Sequence, residues 1–529
     1  MEADSKLAHE RRWWTLAVLC LSLTVISIDN TILNVALPAI VRSLDARGSP
    51  LQLLIDGYTI LFACLLLTAG SLGDKLGRKG ILTAGLAMFG AFSAFAAFST
   101  SATMLIVARS LMGIGGACIY PSTLSILTNT FHDPKERGRA IGIWAGVSGL
   151  GVAIGPLAGG LLVEHFWRGS VFLVNVPICL LAIVAGRFFV PTTTRDSDHR
   201  LDPLGAIFSI IGLLGVLYAI IEVPDRGWSD PVVVGTLLVG AVFLAAFAWW
   251  ETHYEHPMLD LRFFQNPRFS AASATITLTF FALYGSTFLL TQYFQFVLLY
   301  SPFKAGMLTA PVAIGIMATA PQAPKLVERI GTKLVVVMGL LIVATGLFLY
   351  SVEVVMSSVV GGGFVRLLFG VGMGLVMAPA TESIMGSLPK AKAGVGSAVN
   401  DTTRQAGGAL GVAVIGSVFA ATYHRAIEVP AGLPADAGSM VHDSIGKALE
   451  AVRDFNLPTD LAGSVHDAAS HAFVSGMQVA AWAGAAVVVC AAIIAYRFLP
   501  ARAERVVRND PELELEAREL AITDDGILA

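Results

Sequence analysis

Charge is scarce in this chain of 529 residues: 14% of its residues are charged, 55% are hydrophobic, and mean hydropathy is +0.71. A water-soluble protein of this length could not solvate so apolar a surface. The net charge of −3 carries no basic excess and gives no sign of a nucleic-acid partner. Cysteine is rare too. Cys20, Cys64, Cys118, Cys179 and Cys490 all lie within apolar runs, with neither metal-ligand spacing nor a disulfide framework, so they read as packing residues. No Gly-x-x-x-x-Gly-Lys-Ser/Thr loop occurs, so no nucleotide is implied. The histidines sit mostly in connections, among them His253, His256, His442, His466 and His471. No catalytic residues, no metal ligands and no cofactor are expected, and an enzyme is disfavoured.

What the chain does have is long hydrophobic runs. A bilayer core of ~30 Å needs about 20 apolar residues per helix. Runs of that kind predict spans at 13–37, 53–73, 79–99, 103–127, 139–163, 170–190, 203–222, 231–250, 269–298, 304–322, 333–351, 357–380, 395–421 and 475–498. Arg11 and Arg12 precede the first run, which continues through Asp29 to Pro38 without a small-residue cleavage site and so reads as a spanning helix.

Two signatures recur. Arg109-Ser-Leu-Met-Gly113-Ile-Gly115-Gly116 returns as Arg366-Leu-Leu-Phe-Gly370-Val-Gly372-Met-Gly374, and Gly77-Arg-Lys returns as Gly331-Thr-Lys, at offsets of 257 and 254. A shared offset implies two related halves, as in many transporters whose substrate path runs between them. The fold class expected is an all-α membrane protein of fourteen helices arranged 6+2+6. Residues 1–192 form the first half, 193–262 two inserted helices, 263–500 the second half with an external loop at 422–474, and 501–529 a charged, disordered cytoplasmic tail.

Lys and Arg cluster in alternate connections, as in Lys75/Arg78/Lys79, Lys135/Arg137/Arg139, Lys325/Arg329/Lys333 and Lys390/Lys392, while 98–103 and 352–356 contain none. By the positive-inside rule both termini face the cytoplasm, which an even helix count also requires. Arg42, Arg47 and Arg168 fall on the outer side as exceptions.

A carboxylate in hydrocarbon costs at least ~2.5–3.5 kcal/mol on insertion scales. Asp29, Asp56 and Asp401 fall inside spans or near their ends. A buried acid resists ionisation and a bound cation favours it, so such a group can exchange a proton for a cationic substrate. The alternative is a structural ion pair or an interfacial residue. Arg109 is the matching cation and needs an acceptor within protein; Asp29 or a backbone carbonyl of the first helix would serve. Arg366 is its counterpart, with no acid paired to it in the sequence. Tyr284, Phe288 and Tyr293 lie on an aromatic ninth span that could hold lipophilic cations, packing being the simpler reading. The fifth span carries Gly142, Gly146, Gly149, Gly151, Gly155-Pro156 and Gly159-Gly160, which give flat faces and a bend suited either to rocking at a seam or to packing alone.

These motifs resemble the fourteen-helix drug:proton antiporters of the major facilitator superfamily, the quaternary-ammonium and multidrug exporters of bacteria. Gly70–Lys79 resembles the superfamily loop motif, Arg109–Ala117 its fourth-helix motif, and Gly151–Gly160 the fifth-helix antiporter motif. Asp29-Asn-Thr-Ile-Leu-Asn-Val-Ala-Leu-Pro38 is similar to the first-helix signature, and Trp167-Arg168 with Asn175-Val-Pro177 to another landmark. The resemblance implies the major facilitator fold and alternating access. Asp29 would be protonated, Asp56 and Asp401 would aid protonation or cation binding, and Arg109 would assist proton relay. Gly70, Asp74, Gly77, Arg78 and Lys79 would form the conformational switch, and Gly151, Gly155, Pro156, Gly159 and Gly160 the antiporter helix. Protons would be the coupling ion. Relatives carry further acids where this chain has Ile316 and Gln405, which argues against efficient export of divalent cations. The expected partners are small lipophilic or cationic substrates and membrane lipids, for a monomer in the bacterial inner membrane. Export of an endogenous metabolite or lipid, and nutrient import, remain alternatives.

Overall fold

The computed structural model describes residues 2–44, 49–192, 201–352, 359–389 and 392–501, and contains no strand among them. The expected tail beyond Ala501 lies outside the described residues. The helices are α1 (Glu2–Leu44), α2 (Ser49–Leu76), α3 (Arg78–Ala97), α4 (Ala102–Thr130), α5 (Pro134–His165), the single turn α6 (Ser170–Leu173), α7 (Asn175–Phe189), α8 (Pro203–Arg226) and α9 (Pro231–His253). Then come α10 (Pro267–Gln292), α11 (Pro302–Thr319), α12 (Ala323–Ile330), α13 (Thr332–Tyr350), α14 (Val359–Met385), α15 (Ala393–Ala426), α16 (Ala435–Asp443), α17 (Ile445–Asp454) and α18 (Thr459–Phe498).

Helix starts follow local chemistry. Asp133, Asp202, Asp230, Asn266 and Ser301 each stand before a proline and accept a hydrogen bond from a backbone N–H of the first turn. The side chain satisfies an orphan donor, while proline needs no partner there. Twelve helices among the described residues are long and apolar enough to cross a membrane, or thirteen if α11 and α12, bent by 52° across a short break, count as one.

α1 packs on α5 and α7, and α4 is flanked by α2 and α3. On the other side α10 packs on α15, α14 lies between α11 and α13, and α18 rests on α13 and α15. The two groups meet along α5–α11, α5–α14, α2–α15 and α4–α15. α8 and α9 cross closely: a Cβ at Gly215 would stand 2.8 Å from the Gly240 Cα. α8 also touches α2 and α15. Leu238, Val242 and Trp249 on α9 are exposed apolar residues, as a lipid-facing helix requires.

One span differs from expectation. The last helix begins at Thr459 rather than near 475. Its polar first turns carry Asp460 and Asp467, which hide it from a hydropathy count. Val465, Ala469 and Phe473 on the same stretch are buried, and Phe473 meets Phe419 edge-on at a centroid separation of 4.7 Å. The stretch expected as an external loop, 422–474, thus holds the end of α15, α16, α17 and the first turns of α18.

Candidate functional site

Asp29 is fully buried where α1 faces α4. One carboxylate oxygen accepts from Arg109 Nη1; the other accepts from Asn175 Nδ2 at 3.0 Å. Asn175 stands at the break between α6 and α7, and its amide also reaches Ser93 Oγ on α3 at 3.1 Å. The Arg109 guanidinium lies over the Tyr58 ring at 4.3 Å. Gly113 permits the approach of α4 to α2, since a Cβ there would sit 2.6 Å from the Tyr58 carbonyl oxygen. Removing one member of such a buried pair strands the other charge, which costs ~3–5 kcal/mol. Any change in the Asp29 charge therefore bears on the packing of α1 against α4.

A second polar cluster lies on α15. Asp401 is 1% exposed; its Oδ1 accepts from Asn400 Nδ2 at 3.0 Å and its Oδ2 has no hydrogen-bond partner. Arg404, one turn on, donates to Thr381 Oγ1 at 3.0 Å and lies between the Trp144 and Phe280 rings, at 4.9 and 5.1 Å. Its Nη1 reaches Tyr120 Oη at 3.5 Å. Aromatic contacts connect the two clusters: Tyr58 stacks on Phe62 at 6.0 Å, Phe62 meets Tyr120 edge-on at 5.8 Å, and Tyr120 meets Trp144 at 5.7 Å.

Between the helix groups lies a cavity with about 950 Å³ of empty space, open solvent at its mouth included. Its wall includes Ser27 and Asn30 from α1, Tyr120 from α4, Tyr284 from α10, Tyr350 from α13 and Gln405 from α15, and no Asp, Glu, Lys or Arg among the lining residues. Asp29, Arg109, Asp401 and Arg404 stand one layer behind it. Of the three aromatics singled out in the ninth span, Tyr284 lines the cavity, while Phe288 and Tyr293 do not.

The α2–α3 turn clasps the far group of helices. Asp74 accepts from Arg78 Nε and Nη2 at 2.9 and 2.7 Å, and from the backbone N–H groups of Gly394 and Val395 at 3.0 and 3.2 Å. Those N–H groups are the orphan donors of the first turn of α15, where a negative charge is favoured. Gly70 and Gly394 make room, since a Cβ on Gly70 would come within 2.7 Å of the Gly394 carbonyl oxygen. Gly77 joins α2 to α3 at φ 98°, a conformation that glycine adopts without strain. Lys79 Nζ donates to the Val190 carbonyl at 2.6 Å. Nearby, Arg137 on α5 bonds Glu382 on α14 at 2.6 Å, a second link between the groups.

The glycines of α5 serve two neighbours. A Cβ on Gly151 or Gly155 would fall 2.0 Å from Ser27 Cβ or 1.8 Å from Thr31 Oγ1 on α1. On Gly142 and Gly160 it would meet the Ala320 carbonyl just past α11 at 2.4 Å, and Phe303 on α11 at 2.7 Å. Gly159 is buried. α5 thus lies tight between α1 and α11. Asp56 and Pro156 fall in α2 and α5, but their side chains lie outside the described residues.

The structure brings Asp29 to Arg109, Asp74 to Arg78 and the α15 start, and Asp401 near Arg404 without an ion pair. The sequence reading did not find Asn175, Tyr58 or the Arg137–Glu382 bridge. Asn175 stood in the sequence only within the Trp167–Pro177 landmark, with no role attached to it, whereas the bridge joins residues 245 apart with no local mark.

The Major Facilitator Superfamily model matches residues 19–412. The chain is 36% identical over 487 residues to the multidrug efflux pump LfrA of Mycolicibacterium smegmatis, covering 92% of this chain and 95% of that one. It is 33% identical over 470 residues to the methyl viologen resistance protein SmvA of Salmonella typhimurium, covering 89% and 94%. The crystal structure of the human organic anion transporter MFSD10 shares the fold, with a TM-score of 0.60 at 15% identity over 92% of this chain and 99% of that one. A wall of neutral polar and aromatic groups, buried charges behind it and a match over most of the chain agree: this multi-pass membrane protein belongs to the Major Facilitator Superfamily and is a transporter, not an enzyme.

Proposed function

We propose that the protein is a proton-coupled antiporter that exports amphipathic drugs, often cations, across a bacterial inner membrane. The relatives named for multidrug efflux and for methyl viologen resistance support drug export. The observation that carries the coupling is Asp29: a fully buried carboxylate held by one cation and one amide, one residue from the cavity-lining Asn30. In this reading six helices flank an inserted pair on each side, fourteen spans in all, and the Asp74 end faces the cytoplasm with both termini.

The cavity wall holds cargo through ring faces, which attract lipophilic cations. Asp29 and Asp401 act from behind it. When a proton neutralises Asp29, Arg109 loses its partner and the α1–α4 contact loosens, so occupancy by a proton and occupancy by drug favour different arrangements of the two helix groups. Each proton that enters is worth ~2.3 kcal/mol per 100 mV, so one or two drive uphill export. Asp74 on the α15 start and Arg137 on Glu382 hold the cytoplasmic side shut in the arrangement described here.

The test is Asp29→Asn. It should insert in the membrane and abolish both ethidium efflux and the proton release expected of wild type when substrate is added to proteoliposomes. Undiminished efflux refutes the assignment.

A further inference from the structure

The second helix group buries a cation that nothing in the coupling scheme uses. Arg366 on α14 is 1% exposed, and its Nε and Nη1 are buried without a hydrogen-bond partner. None of the ion pairs among the described residues involves it. Its guanidinium lies over the Phe294 ring at 5.1 Å, as Arg109 lies over Tyr58, and it is within electrostatic reach of Tyr350. The difference from Arg109 is the missing acid. The offset that relates Arg109 to Arg366 carries Asp29 into 283–286, where the chain reads Leu-Tyr-Gly-Ser. A permanently charged guanidinium with two buried donors that lack an acceptor is an incomplete arrangement.

Its position says what would complete it. Phe369, one turn along α14, and Tyr350 both line the main cavity, with ring centroids 6.0 Å apart. Tyr350 is also the wall of a smaller apolar cavity of about 330 Å³, lined by Leu289, Leu347, Ile415 and Met477. The Tyr350 hydroxyl makes no hydrogen bond among the described residues. A ligand at this end meets an apolar recess and a free phenol, with Arg366 one helical turn from the cavity-lining Phe369. A negative group there gains a bond to Arg366, or one relayed by the Tyr350 hydroxyl, and no acid lines the cavity to repel it.

We propose that the Arg366–Tyr350 end of the cavity is an anion-accepting subsite, so that the cargo of this transporter includes aromatic amphipaths bearing an acidic group, a carboxylate, sulfonate or phenolate. The inference rests on the export reading of the same cavity and adds a second kind of cargo to the cationic one.

Three probes with one fluorophore test it: dansylglycine (anionic), dansylamide (neutral) and dansylcadaverine (cationic), bound to the full-length protein in detergent at pH 7. Wild type should hold dansylglycine about tenfold or more tighter than dansylamide, the size of a charge-assisted hydrogen bond. Arg366→Gln should bring those two within about twofold and leave dansylcadaverine unchanged, while Arg366→Lys keeps most of the preference. Tyr350→Phe should weaken dansylglycine severalfold and serves as the deciding variant if Arg366→Gln does not fold. Equal affinity of wild type for dansylglycine and dansylamide, equal weakening of all three probes by Arg366→Gln, or an unaltered anion preference in Tyr350→Phe where that variant decides, overturns the subsite. Transport in inverted vesicles separates this from the broader reading. If dansylcadaverine is pumped while dansylglycine is not bound, the subsite alone fails; if no probe is pumped, the export reading fails.

Discussion

The side chains around the cavity divide into those that touch cargo space and those that hold charge behind it. Tyr284 belongs to the first kind, and its ring rests against Gly408 on α15, where a Cβ would fall 1.9 Å from the ring. Gly408→Ala must therefore push the ring, and the space open to it is the cavity. The expected outcome is a severalfold rise in KM for bulky substrates with little change for small ones, read from efflux of a size-graded set. Asp29 and Arg109 belong to the second kind. Sequence reasoning offered Asp29 or a backbone carbonyl of the first helix as the acceptor that Arg109 needs in hydrocarbon, and the structure selects Asp29. That reasoning did not anticipate that Asn175 would take the other carboxylate oxygen, since the α3–α7 crossing that brings Ser93 and Asn175 together is a tertiary event.

At the scale of elements, α5 is the clearest case of composition becoming geometry. Its glycines looked equally fit for rocking or for packing; the structure shows contacts on two sides, with α1 and with α11. Gly155→Val would drive a branched side chain into Thr31 and the Ile32 backbone nitrogen. Overpacking of that kind costs ~1–3 kcal/mol, so the variant should unfold several degrees lower in a detergent melt. Gly235→Ala on α9, where nothing lies within 4 Å, should leave the melt unchanged. The pair α8–α9 is held at its connecting turn by Trp228 Nε1 on Ser417 Oγ at 3.1 Å and touches α2 through Ala63, Cys64 and Leu217. Hydropathy located both helices within a few residues, because an apolar helix among lipids announces its own length. It could not say that α8 would lie against α2 and α15, where the two groups meet.

For the whole molecule, the relevant quantity is what holds one face closed. Asp74 on the α15 start and Arg137 on Glu382 both cross between helix groups. Asp74→Asn removes a negative charge from a helix N-terminus, worth ~0.3–2 kcal/mol, and breaks the Arg78 pair as well. It should raise the reactivity of a cysteine placed at Ala398 toward a membrane-impermeant thiol reagent added from the cytoplasmic side. The Arg137–Glu382 pair is about one-fifth exposed on each side chain, and exposed pairs contribute little. Glu382→Arg should slow efflux severalfold through repulsion, and Arg137→Glu in the same protein should restore at least half of it; no recovery would show that the bridge does not couple the two groups.

The chain by itself determined the membrane and the all-helical fold class, since these follow from run length and cap residues that survive without knowledge of any contact. It also determined which charges were too costly to be idle. Tertiary packing decided the partners: that Asp29 and Asp401 stand behind the cavity rather than on it, that Asp74 reaches across to another helix's first turn, and that Arg366 has the Tyr350 phenol and the Phe294 ring near it but no ion-pair partner among the described residues. Those facts depend on which helices cross and at what height, and residues hundreds of positions apart carry no local trace of that choice.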